Sequence, residues 1–299
     1  MGTPPPHIEF NCRGQSTGSA PREREDGMAQ HLEVVDGGLA TRVWPALRSE
    51  AQRVARDEPS LASMLNAVVI RHSDLAAALS YQLARKLGDQ ELRAMSLREV
   101  AQEAYAADPA IVDKAEADLR AVFERDPACK GFVQPFLYFK GFQALQTHRV
   151  AHWLWRSGRE ALAFYMQSRM SELFQVDIHP AAVIGPGAFF DHGTGIVIGE
   201  TAVIGENVSM LHGVTLGGTG AERGDRHPKI GNGVLLGAGA KVLGNITVGD
   251  FAKVASGSVV LTHVPSGCTA AGVPARLVNC PTCTDPARTM DHTLADEIL

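Results

Sequence analysis

Residues 230–260 read IGNGVLLGAGAKVLGNITVGDFAKVASGSVV, and within them Ile230, Leu236, Val242, Val248, Val254 and Val260 recur every six residues. A small or branched residue often stands two places earlier, as Ala240, Ala252 and Ser258 do. A sustained step of six is the sequence signature of a parallel β-helix built from hexapeptides. Each hexapeptide supplies one short strand and a corner, and three of them close a triangular coil. The apolar residue points to the axis, and stacked coils pair their backbones ~4.8 Å apart.

The same step runs back through Ile178, Ile184 and Phe190, jumps eight residues to Ile198, and resumes at Ile204, Met210 and Leu216. Two surplus residues therefore lie in FDHGTG, residues 190–195. In a coil of eighteen residues Ile178, Ile198 and Leu216 share one face, so the corners carrying Asp177 and His192 fall on one edge. Glycines at 193 and 195 suit a widened turn that projects the histidine. An imidazole with an ordinary pKa of ~6.5 can take a proton near neutral pH, and a neighbouring carboxylate fixes its tautomer. Without such chemistry, Asp191 and His192 would only cap a bulged corner.

A second break, GGTGAERGDRHPK at 217–229, puts fourteen residues between Leu216 and Ile230 where twelve are expected, with no apolar marker inside. It reads as an extruded loop. Arg226 and His227 at its end pair a forked donor with an imidazole, a combination suited to a small carboxylate or to a solvated basic tip.

Upstream, residues 39–175 carry helical periodicity. Ser96-Leu-Arg-Glu99 reads as a capping box, Asp108-Pro109 as an N-cap followed by proline at the first helical position, and Gly158 as a break between two helices. The stripe of Phe142, Val150, Trp153 and Leu154 is expected in a core or subunit interface. His148 and His152 stand four apart without a third ligand, which favours a structural role. Residues 1–38, rich in Pro, Gly and Ser and carrying the charge run RERED, read as a disordered leader.

A net charge of -5 with 45% hydrophobic residues excludes a basic nucleic-acid binder. No window reaches the ~20 apolar residues of a membrane helix, and the start lacks a signal peptide, so the cytoplasm is expected. Five cysteines do not form a disulfide framework, and the Cys280/Cys283 pair lacks a second ligand pair for zinc. The expected class is α+β: a helical domain (39–175), a parallel β-helix (176–278) and a tail (279–299).

The motifs VDIHPAAVIG, DHGTGIVIGETAVIG, VTLGGTG, GDRHPKIG, GAGAKVLGNI and AAGVPAR, in that order, resemble the bacterial serine acetyltransferases, and RDPA and QALQTHRVAHWLW resemble that family's helical domain. The resemblance spans residues 40–278 and implies left-handed winding. It implies transfer of acetyl from acetyl-CoA to the hydroxyl of L-serine, with L-cysteine as feedback inhibitor and no metal. By position it makes His192 the general base and Asp177 its partner. Asp126 and Asp191 would hold the serine ammonium, and Arg226 and His227 its carboxylate. Gly218, Ala238 and Lys253 would lie along CoA, between subunits of a trimer paired into a hexamer. The family's partner, O-acetylserine sulfhydrylase, takes up a tail ending in isoleucine, whereas this chain ends in Leu299. His212 stacks one coil above His192. With Asp177, the two histidines also sustain a rival reading as a metal-dependent lyase of the γ-carbonic-anhydrase type, and a non-catalytic assembly protein or an acetyltransferase for homoserine or a sugar are further readings.

Overall fold

A computed structural model describes residues 42–220, 223–280 and 285–293. The leader read at 1–38, Cys283 and the last six residues lie outside the described residues. Among the described residues eight helices precede the strands: α1 (Val43–Asp57), α2 (Pro59–Leu65), α3 (Leu75–Leu87), α4 (Ala94–Ala107), α5 (Ala110–Arg125), α6 (Val133–Tyr138), α7 (Lys140–Arg156) and α8 (Glu160–Phe174), with a π-turn, Asn66–Ile70, after α2. Gly158 does separate α7 from α8, in the left-handed region at φ 75°.

Two helix starts differ from the sequence reading. Ser96 sits inside the first turn of α4, whose N-cap is Arg93, with no side-chain capping bond. Asp108 closes α4 by donating its N–H to the Ala104 carbonyl, and Pro109 becomes the N-cap of α5. Both signals are local, and the chain reversal between α4 and α5 uses Asp108 to end one helix before the next begins.

Gln175 adopts the left-handed region at φ 57°, and the chain passes at once from α8 into β1 (Val176–Ile178). The described residues then form fifteen short strands in three sheets. The first stacks β1, β4 (Ile196–Ile198), β7 (Thr215–Gly217), β10 (Lys241–Leu243) and β13 (Val259–Val260). The second stacks β2 (Val183–Ile184), β5 (Val203–Ile204), β8 (Lys229–Ile230) and β11 (Thr247–Val248). The third stacks β3 (Phe189–Asp191), β6 (Ser209–Leu211), β9 (Leu235–Leu236), β12 (Lys253–Val254), β14 (Thr269–Gly272) and β15 (Ala275–Asn279). All pairings are parallel except the last, so the three sheets are the walls of a β-helix. The axial residues Ile178, Ile198, Leu216, Val242 and Val260 are at most 1% exposed. Ala240, Ala252 and Ser258 fill the corners beside them, also at most 1% exposed.

Register dates the two breaks. Phe190 pairs with Met210, twenty residues on, whereas Ile198 pairs with Leu216, eighteen on, so two residues enter between β3 (Phe189–Asp191) and β4 (Ile196–Ile198). The second break is larger than its sequence reading. Ile204 pairs with Ile230, 26 residues on, where Ile230 meets Val248 after the regular 18. Eight residues are extruded, because the stretch crosses one corner of the prism and not two.

One hydrophobic core runs from Val43 in α1 to Ala270 in β14 (Thr269–Gly272). Phe142, Val150 and Leu154 belong to it as expected of the stripe. A buried pair joins the two architectures. Arg149 on α7 bonds both oxygens of Asp118 on α5 at 2.9 Å and donates to the carbonyls of Ile184 (3.1 Å) and Gly185 (2.9 Å) in the first coil. Asp118 also accepts from Gln146 (2.8 Å) and from the Ala188 N–H (3.0 Å). Burial pushes this carboxyl up, and the Arg149 charge and the donors around it pull it back in part.

At the far end β15 (Ala275–Asn279) turns back antiparallel on β14. Thr269 lies opposite Asn279, which sets Cys268 against Cys280 with Cα atoms 3.9 Å apart, and the two form a disulfide. The spacing of the five cysteines gave no sign of this link, which the register of the hairpin sets. A short helix, α9 (Pro286–Thr289), then packs on the third sheet, where the Ala287 carbonyl accepts from Ser209 at 2.7 Å.

Candidate active site

The widened corner is built by backbone conformation. His192, Gly193 and Gly195 all take positive φ (58°, 70° and 73°), and the Gly195 N–H donates to the Gln175 carbonyl of the coil below at 2.7 Å. The turn thus rests on Gln175–Val176, next to Asp177. His192 is pushed outward, its side chain 75% exposed. A first cluster forms around it. Asp191 lies 3.8 Å from the His192 imidazole, and the His212 ring stands 6.0 Å away, edge-on, as the stacking predicted.

Asp126, the C-cap of α5, faces the same place. Burial pushes the Asp191 carboxyl up, the His192 charge draws it down, and Asp126 adds to the rise. Two carboxylates facing one spot make a site for a cation such as an ammonium group.

Arg226 and His227 form a second cluster, at the next corner. Thr201, which sequence reading passed over, anchors it. Its hydroxyl oxygen accepts from the backbone N–H of Arg226 (3.0 Å) and of His227 (3.1 Å), and its own N–H donates to His227 Nδ1 (3.1 Å). Nδ1 is therefore the acceptor, and Nε2 carries the proton that can point at an anion. Burial and then the Arg226 charge hold the His227 pKa below its usual value. A methyl group at Gly199 would overlap the His227 ring, so glycine is needed there. Glu200 binds Arg226 at 2.8 Å and keeps the guanidinium in place.

Asp177 shows a different partner from the one expected. Its Oδ1 accepts from Gln167 on α8 at 2.7 Å, and among the described residues no hydrogen bond or ion pair joins it to His192. Gly218 lies against the Arg226 side chain, and Ala238 gives its carbonyl to the Gly257 N–H at 2.8 Å. Lys253 Nζ donates to the carbonyls of Asp291 (3.2 Å) and Thr293 (2.6 Å), which lie over it. His148 is buried, and His152 is bonded to the Pro180 carbonyl at 2.7 Å, both in structural settings. Among the described residues no three His, Cys, Asp or Glu side chains are grouped to hold a metal ion.

A prism of hexapeptide coils with an imidazole and carboxylates projecting from one corner defines a hexapeptide-repeat transferase, and the description "Bacterial transferase hexapeptide (six repeats)" matches residues 227–262. The helical part matches "Serine acetyltransferase, N-terminal" over residues 43–147. The serine acetyltransferase of Escherichia coli (strain K12) is 55% identical over 250 residues, 84% of this chain and 92% of that protein. Three solved serine acetyltransferases are also similar. One from Brucella abortus strain S19 in complex with coenzyme A is 50% identical (TM-score 0.80, covering 85% of this chain and 99% of that one). One from Neisseria gonorrhoeae in complex with serine is 51% identical (0.79, 82% and 100%). One in complex with cysteine is 52% identical (0.83, 84% and 98%). The chain belongs to the serine acetyltransferase family.

Proposed function

We propose that this chain transfers acetyl from acetyl-CoA to the hydroxyl of L-serine, releasing O-acetyl-L-serine and CoA. The carrying observation is the convergence of Asp126, Asp191 and His192 at the widened corner: a cation subsite beside a projecting base. Asp126 and Asp191 hold the ammonium, and Arg226 with His227 Nε2–H holds the carboxylate. His192 takes the hydroxyl proton as the oxygen attacks the thioester carbon. The tetrahedral intermediate then collapses, expelling the CoA thiolate, which takes the proton held on the His192 imidazolium and regenerates the base. Alignment of two bound substrates supplies much of the remaining rate.

Asp177 serves as the partner of the base. The turn carrying His192 rests on the residues just before Asp177, and the His192 ring is exposed beside it, which supports this pairing. Gly218, Ala238 and Lys253 line the CoA path.

The two clusters stand at opposite ends of a three-residue strand, β4, roughly 10 Å apart at 3.3 Å per residue. One serine is too short to span that gap within a chain. The corner of one protomer and the loop of its neighbour together make each site, which favours a trimer, and two trimers joined through their helices make a hexamer. A cytoplasmic location fits the use of acetyl-CoA. Light scattering tests the assembly, and co-purification with O-acetylserine sulfhydrylase tests whether a tail ending in Leu299 still engages that partner. L-cysteine, with the same ammonium and carboxylate, competes for the serine subsite.

The test follows free thiol release from acetyl-CoA with serine, homoserine and a panel of other hydroxyl acceptors. Serine is expected to be the preferred acceptor, and His192→Ala to lose ~10²–10⁴-fold in kcat while remaining folded. Thiol release from His192→Ala within threefold of the parent would remove the base assignment, and preference for homoserine would reassign the acceptor.

A further inference from the structure

Asp177 is an outward-facing residue of β1, half-buried between two fully buried neighbours, Val176 and Ile178. Its carboxylate forms part of the floor of a recess of about 460 Å³ lined by Phe164, Gln167, Ser168, Ser171 and Glu172, all from α8. The helix that leads into the β-helix is thus also a wall beside Asp177. Only one of the two carboxylate oxygens is engaged there, by the Gln167 amide at 2.7 Å. Gln167 precedes Asp177 by ten residues, across the left-handed joint at Gln175, so a rigid helix and not a loop delivers the amide.

We propose that Gln167 is a positioning residue of the acyl transfer: by fixing Oδ1 it turns Oδ2 of Asp177 toward the His192 imidazole. This rests on the reading of Asp177 and His192 given above. A carboxylate on a strand has two torsions to settle, and the imidazole it must orient is itself exposed. A single strong donor on one oxygen removes the rotation that would misdirect the other. An amide does this without adding charge, because it has N–H donors and no titratable proton. A carboxylate at 167 would crowd Asp177 with like charge and strengthen the negative field at the imidazole.

Gln167→Ala and Gln167→Glu, in the full-length protein, separate this role from simple stapling of α8 to β1. Gln167→Ala is expected to lower kcat about 10-fold or more, the size of effect found when an orienting outer partner is lost, with both KM values within about twofold of the parent. Gln167→Glu is expected to move the acidic limb of the kcat–pH profile to higher pH, since extra negative charge favours the imidazolium. A structural staple would lower the melting temperature and leave the pH profile in place. A Gln167→Ala kcat within twofold of the parent, or an unmoved acidic limb in Gln167→Glu, overturns the proposal. His192→Ala and Asp177→Asn, measured alongside, tell which reading fails. If both collapse in kcat while Gln167→Ala does not, only the positioning role is lost. If both stay active, the catalytic pair and the positioning role fall together.

Discussion

Asp118→Asn tests whether the buried pair holds the helices on the coils. The substitution keeps the shape of the side chain and removes its charge, leaving the Arg149 guanidinium, 5% exposed, without a counter-ion. Removing one member of a buried ion pair costs about 3–5 kcal/mol, a large share of the ~5–15 kcal/mol that stabilises a typical domain. Here the loss spreads further, because Arg149 also serves the carbonyls of Ile184 and Gly185 and Asp118 also takes the Ala188 N–H. All three tryptophans, Trp44, Trp153 and Trp155, lie in helices, so fluorescence reports this half of the molecule directly. In urea, with protein concentration fixed, the fluorescence midpoint should fall by about 1 M or more, taking a slope of ~3 kcal/mol per molar for a chain of this size. Asp118→Leu combined with Arg149→Met should recover much of the loss, since no charge is then stranded. A single-variant loss under ~1 kcal/mol, or a double variant no more stable than Asp118→Asn, would refute the argument.

Other outcomes follow from the site and its surroundings. Thr201→Val should raise the serine KM severalfold with little change in the acetyl-CoA KM, while Thr201→Ser keeps the parent value; equal rises in both KM values would detach Thr201 from the carboxylate subsite. Arg226→Ala should raise serine KM strongly, and a rise confined to acetyl-CoA would move the loop to the CoA phosphates. Burial holds the His148 pKa well below its usual 6.5, so the unfolded chain binds this proton first as pH falls. Its contribution is complete above pH ~6.5 and is lost below, with a slope of at most about 1.4 kcal/mol per pH unit, and His148→Phe should flatten that slope between pH 7 and 5. In serine kinetics at fixed cysteine concentrations, cysteine should raise apparent serine KM, and an unchanged value at millimolar cysteine would exclude competition.

The parts of the fold legible in sequence were those set by strict periodicity. Ile230 to Val260 announce coils because every sixth residue must enter one narrow axis, and the slip beside His192 shows because neighbouring axial positions are fixed. The extruded loop was visible but undercounted, since Leu216 and Ile230 mark adjacent walls and sequence does not say which wall comes next. Ser96 misled because a capping pattern is a local preference that the packing of α4 overrides. Gln167, Glu200 and Thr201 went unread for a common reason: each acts through one contact with a residue that only the folded chain brings near. Cys268 and Cys280 were missed likewise, because the antiparallel return of β15 reverses the direction of every strand before it.

That return also determines how the solenoid ends. Stacked parallel coils present unpaired backbone groups at both extremities, and an identical coil from another molecule is their natural complement. The α7 helix closes the first extremity, with Arg149 occupying two of its carbonyls, and β15 closes the other by running against the grain, fixed by the Cys268–Cys280 link. The β-helix is thereby closed at both ends and not open to endless stacking. A chain cut back to Thr247 would keep most of its coils and lose its stopper, and it should polymerise end to end.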